Sequence, residues 1–203
     1  MMQRRTFLAT ATAAASAAGL ALTRPAVAQA LTPEMVFFDP DAPVLGNPVG
    51  DVTIVEFFDY QCPFCKKNHP VLEDVAAADG NVRLVLKDWP IFGAPSVRAS
   101  QLVLGASEFG AYEPGLEALM ATPGRLSDAD IDRLLTAAGV DVADADAAYR
   151  ADRARWDGLL GRNSAQAAAL GLQGTPAFVI GSTIYPGLLD RRALEDAIAG
   201  ARG

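Results

Sequence analysis

The chain has 203 residues, 51% of them apolar and 20% charged, with a formal net charge of −7. That length carries one domain with a real core and room for a large insertion. The acidic balance argues against nucleic-acid binding, which needs a basic face against phosphate.

Residues 1–30 read as an export signal. Arg4-Arg5 precedes Thr6-Phe7-Leu8 and an Ala-rich apolar run to about Leu22. Ala26-Val27-Ala28 and Ala28-Gln29-Ala30 each offer a small-x-small cleavage site. The paired arginines with Phe7-Leu8 resemble the twin-arginine pattern and depart from it at Gln3 and Ala9; an ordinary Sec signal is the other reading. The run is short and rich in Ala and Thr, a poor membrane anchor, and no other stretch approaches transmembrane length. The expectation is a protein soluble after signal cleavage, in the periplasm or another extracytoplasmic space. Residues 31–50, rich in Pro, Gly and Asp, read as an extended lead-in.

Val52 to Phe58 reads as a buried strand, with Ile54, Glu56 and Phe58 on one face and Thr53, Val55 and Phe57 on the other. Glu56 is then a carboxylate in apolar company, whose pKa burial raises. It is either a proton acceptor for a nearby thiol or a strand-end charge reaching water.

Cys62-Pro63-Phe64-Cys65 follows and holds the only two cysteines. Pro63 suits the first position of a helix, which puts Cys62 at the N-cap. There the unpaired N–H groups and the positive end of the macrodipole favour a thiolate. Cys62 is thus the candidate nucleophile, with a pKa below the free value of about 8.5. Cys65, one turn on, can resolve a mixed disulfide on Cys62.

Other readings compete. As a structural disulfide the pair closes a four-residue loop, worth only about 2 kcal/mol in the chain-entropy account. As a metal site, Cys62, Cys65 and His69 give at most three ligands, so no metal is expected. Two inert buried thiols would leave the spacing unexplained. His69, the only histidine, reads as exposed or capping, or as tuning the site. Pro70 falls inside the helix, where it removes one hydrogen bond and kinks the axis.

Asp79-Gly80-Asn81 turns the chain into a second strand, Val82 to Leu86, followed by Lys87-Asp88-Trp89-Pro90. Strand, helix and strand make a right-handed βαβ unit, with the cysteines at the carboxyl end of its first strand. Residues 96–171 read as helical. Ser96 caps a first helix running through Leu104, and Pro114-Gly115 interrupt before Leu116–Met120. Ser127 with Asp130 forms a capping box ahead of Ile131–Ala138, and Ala143–Leu170 is broken near Gly158 or Gly161. Strands return at Ala177–Ile180 and Thr183–Tyr185 around a Gly181-Ser182 turn, and Leu188–Ala199 closes the chain as a helix.

Cys62-Pro63-Phe64-Cys65 after Glu56-Phe57-Phe58, a helix kinked at Pro70, and Gly174-Thr175-Pro176-Ala177-Phe178 together resemble the thioredoxin superfamily. The long helical stretch between the two sheet halves resembles the DsbA-like thiol:disulfide oxidoreductases. The resemblance implies an α/β thioredoxin-like fold at 51–95 and 172–203 with an inserted helical subdomain at 96–171. It implies an exposed nucleophile at Cys62 and a buried resolving cysteine at Cys65. Pro176 becomes a cis-proline whose loop sits against the cysteines and pairs with substrate backbone, preceded by Thr175. Glu56 falls at the buried acid, with Lys87 either its buried partner or an exposed strand-end lysine.

The implied function is disulfide exchange with exported proteins, most simply as a dithiol oxidase. A disulfide isomerase or reductase is the alternative, as is a non-catalytic module binding partners or a soft metal. No cofactor beyond the cysteine pair is expected. A quinone-coupled membrane oxidoreductase is the implied recycling partner, and a monomer is expected. Phe64 stands where strongly oxidising relatives carry His. Its side chain brings no charge, which predicts a Cys62 pKa below about 7 but above about 3.5. The pair is then a weaker oxidant than about −120 mV.

Overall fold

The computed structural model describes residues 30–203, so the expected export signal lies outside the described residues apart from Ala30. Residues 31–50 are not simply extended. Thr32 caps a short helix, α1 (Pro33–Phe37), and Val44–Gly46 forms an edge strand, β1. The strand is three residues long and only partly buried, which leaves almost no periodic signal to read.

The centre of the sheet is β2 (Val52–Phe58), linked by helix α2 (Pro63–Asp79) to β3 (Val82–Asp88). Strands β2 and β3 pair in parallel, with Phe57 beside Lys87 and Glu56 beside Leu86. Their near-continuous burial reflects cover on both faces. Strand β1 adds antiparallel to β3. Helix α2 runs unbroken through Pro70 and ends at Gly80, whose φ of +77° stops it with a left-handed cap.

The helical subdomain comprises α3 (Ala94–Ala106), α4 (Tyr112–Met120), α5 (Asp128–Ala137), α6 (Val142–Ala151) and α7 (Arg153–Ala169). Three expectations need correction here. Ser96 does not cap α3; the helix begins two residues earlier after Gly93, and the buried Ser96 hydroxyl donates instead to Asp59 Oδ1 at 2.7 Å. Pro114 does not interrupt α4, because it falls in the first turn, where a missing N–H removes no helical bond. The last helical run breaks at Asp152 rather than at Gly158 or Gly161, and both glycines sit within a continuous α7. The Ser127–Asp130 capping box is present.

The chain then returns as β4 (Ala177–Ile180) and β5 (Thr183–Pro186), both antiparallel to their neighbours, giving the order β1-β3-β2-β4-β5. The hairpin turns on Gly181 at φ +57°, the first central position of a two-residue turn. Helix α8 (Arg191–Arg202) starts at an Asp190 N-cap, later than expected, and buries Leu194, Ala197 and Ile198. The result is the thioredoxin-like α/β sheet with its helical insertion between the two halves.

Candidate active site

The local sequence forces the start of α2. Asp59 Oδ1 accepts the Gln61 N–H at 2.6 Å, an Asx turn that bends the chain out of β2. Cys62 N–H donates to Asp59 O at 3.0 Å, Pro63 opens the helix, and Cys62 is its N-cap. Its Sγ accepts the Cys65 N–H at 3.4 Å. Both cysteines are free thiols here.

From the other side comes the loop before β4, where the Thr175–Pro176 bond is cis. The Cys62 thiol donates to Thr175 O at 3.2 Å. These two contacts turn the sulfur inward, so Cys62 is only 1% exposed. The expectation of an exposed sulfur is therefore corrected. The exposed residues of the motif are Pro63 and Phe64, the latter at 57%.

The electrostatics separate the two thiols. Contact with Cys65 chiefly, with the nearby Thr175 side chain and the N–H groups of Cys65 and Phe64 acting in the same direction, lowers Cys62 to about 6 against opposing burial. Cys65, fully buried, moves far the other way through desolvation and its neighbours Cys62 and Glu56. Glu56 is 1% exposed, and neither carboxyl oxygen has a hydrogen-bond partner among the described residues. Burial pushes it up to about 8, and the nearby Cys62 adds to the rise. Glu56 is thus a buried acid and not a strand-end charge.

Lys87 fits neither earlier reading. It is fully buried, and it does not pair with Glu56. Side chains alternate across a strand, so Lys87, in register with Phe57, points to the face opposite Glu56. There its Nζ lies 3.9 Å from Asp39 Oδ2, and Asp39 is gripped by the Arg162 guanidinium at 2.7 and 2.8 Å. Burial lowers Lys87 to about 8. His69 is likewise neither exposed nor a cap; it is 4% exposed and its Nε2 meets Glu117 Oε1 at 2.8 Å.

Several site residues escaped the sequence reading. Asp59 also accepts the N–H groups of Ile91 and Phe92 through Oδ2. Gln61 pairs like a peptide unit with Leu126, donating to its O and accepting from its N–H, both at 2.8 Å. Lys66 Nζ donates to Thr122 Oγ1 and Gly124 O, each at 2.6 Å. The Gln61 and Lys66 contacts dock the helical subdomain against the start of α2. Only Asp59, two residues before Gln61, carried a local signal; the partners of the others lie more than fifty residues away.

A cysteine pair at a helix N-terminus, facing a cis-proline loop across a sheet of this order, defines the thioredoxin-fold class. The family model for the DSBA-like thioredoxin domain matches residues 53–199, and the chain belongs to that family. Among solved structures it is similar to a thioredoxin-like oxidoreductase from Silicibacter pomeroyi, with 38% identity and a TM-score of 0.81, covering 85% of this chain and 98% of that one. It is also similar to the catalytic domain of Proteus mirabilis ScsC, with 29% identity and a TM-score of 0.74, covering 83% and 93% respectively. A Na(+)/H(+) antiporter NhaA 3 from Salinispora tropica matches at 28% identity over 82% of this chain. The chain spans only 26% of that antiporter's length. Among the described residues no helix is long and apolar enough to cross a membrane.

Proposed function

We propose that this protein is a thiol:disulfide oxidoreductase that oxidises cysteine pairs in exported proteins. Membership of the DSBA-like family supports exchange chemistry, and the observation that carries the reading is the divergence of two adjacent thiols. Cys62 is held near pH 6 at a helix N-cap while Cys65 is driven strongly upward beside a buried acid.

The cycle starts from the Cys62–Cys65 disulfide. A substrate thiolate attacks Cys62 Sγ, forming a mixed disulfide and expelling Cys65 as a thiolate. Glu56, largely protonated at neutral pH, supplies the proton that Cys65 takes up. A second substrate thiolate then attacks the substrate sulfur of the mixed disulfide. Cys62 leaves as a stable thiolate, the substrate gains a disulfide, and two electrons rest on the Cys62–Cys65 dithiol. Pro63 and Phe64 shape the approach, and the backbone before Pro176 pairs with the substrate chain. Because Cys62 is covered in the dithiol form, reoxidation of the reduced pair requires the Thr175 carbonyl to move off Sγ. A quinone-coupled membrane oxidoreductase then reoxidises the pair.

Cys65→Ser tests the assignment of roles. It should accumulate mixed disulfides on Cys62, read by mass spectrometry of non-reduced extracts, and Cys62→Ser should form none. Trapping through residue 65 in a Cys62→Ser protein would reverse the roles. The direction of exchange is decided by the equilibrium potential against glutathione: oxidase action needs a value well above thioredoxin's approximately −270 mV. Efficient rescue of a scrambled multi-disulfide protein without added oxidant would instead favour isomerase action.

A further inference from the structure

His69 and Glu73 stand four residues apart on one face of α2, and Glu117 reaches toward them from α4. His69 Nε2 lies 2.8 Å from Glu117 Oε1 and 3.4 Å from Glu73 Oε1. One donor atom from each residue falls within 4.8 Å of the others. A tetrahedral ion with bonds of about 2.0–2.1 Å spaces its ligands about 3.3 Å apart, so the three need only small adjustment. His69 and Glu117 line a pocket of about 430 Å³.

Two further observations point to a ligand. The His69 side chain is 5% exposed, yet its Nδ1 has no hydrogen-bond partner among the described residues, an uncompensated cost for a buried polar atom. Glu73 and Glu117 also bring two carboxyl groups onto one imidazole, where they share a proton in the metal-free protein and a bound dication would take that proton's place.

We propose that His69, Glu73 and Glu117 form a binding site for a borderline divalent cation of the Zn²⁺ class, open on the pocket side and separate from the cysteines. One imidazole nitrogen with two carboxylate oxygens suits such an ion, whereas Mg²⁺ and Ca²⁺ prefer all-oxygen sets. The bound ion would clamp α2, the helix that carries the cysteine pair, to α4 of the helical subdomain.

The test uses the untagged full chain carrying Cys62→Ser and Cys65→Ser, so that no thiol competes and disulfide exchange plays no part. His69 is the only histidine, so its ring ¹⁵N resonances report ligation directly. Titration with ZnCl₂ should give one saturable site by calorimetry and shift those resonances. Glu117→Gln, at a half-exposed position that leaves the fold intact by circular dichroism, should weaken binding by about tenfold or more. His69→Ala should abolish it. Absence of saturable binding would overturn the site, as would unmoved His69 resonances, unchanged affinity in Glu117→Gln, or equal affinity for Mg²⁺.

Discussion

The Sγ of Cys62 sits 3.2 Å from the carbonyl oxygen of Thr175, the residue before the cis proline. In the thiol form this is a hydrogen bond. On ionisation the sulfur loses its proton and the bond with it, while the Cys65 contact and the Thr175 side chain favour the anion. One loop thus both covers the sulfur and senses its charge.

Thiolate absorbance near 240 nm should therefore titrate Cys62 with a midpoint of about 6, and Cys62→Ser should remove the transition. The folded value lies below the ordinary 9.0, so the ionised thiol stabilises the reduced protein. That contribution is complete above pH 9 and is lost as pH falls from 9 to 6, at about 1.4 kcal/mol per unit. Urea unfolding of reduced against oxidised protein across this window measures it. A midpoint at or above 9 would mean that the N-cap gives the sulfur no advantage.

Glu56 pulls the other way. Its folded pKa of about 8 exceeds the ordinary 4.5, so the native state holds the proton more tightly and stability falls as pH rises between these values. Buried Asp88, raised to about 7 by desolvation, adds to the slope. Between pH 5 and 6, Glu56→Gln should flatten the fall by about 1.4 kcal/mol per unit. The same variant should slow oxidation of a substrate peptide about tenfold to a hundredfold, the scale of a lost proton donor. Stopped-flow rates unchanged in Glu56→Gln would remove Glu56 from the mechanism.

Lys87 faces Asp39 on the far side of the sheet, and Asp39 keeps both Arg162 contacts without it. Lys87→Met should alter stability by no more than about 1–2 kcal/mol in either direction, because a well-packed apolar side chain replaces a desolvated charge. It should leave the Cys62 titration in place. A shifted midpoint in Lys87→Met would reveal coupling to Glu56 through the sheet.

Gln61→Ala removes two buried hydrogen bonds and strands the N–H and C=O of Leu126. A loss of about 2–6 kcal/mol follows, at about 1–3 kcal/mol for each unsatisfied group. Hydrogen exchange should accelerate selectively around residues 122–128, where Lys66 supplies the remaining anchor. Uniform protection across that segment would show that the docking rests on apolar packing alone.

The strands, the βαβ unit, the Cys62 cap and the Ser127 box were all legible, because each depends on residues within a few positions of one another. The short β1 and the break at Asp152 were not. The first is too brief to show a period, and the second falls at an aspartate while two glycines offered a stronger but misleading cue. Ser96 looked like a cap for the same reason: its local neighbours suit capping, but Asp59, 37 residues away, takes the hydroxyl.

The order of residues by itself placed a reactive sulfur at the mouth of a helix and a carboxyl among apolar side chains, since backbone polarity and strand alternation act locally. Only folding decided that the Thr175 carbonyl covers that sulfur, that Lys87 turns away from Glu56, and that His69 meets two carboxyls. Those outcomes depend on strand register and on helices brought together across long stretches of chain, where packing chooses the partner.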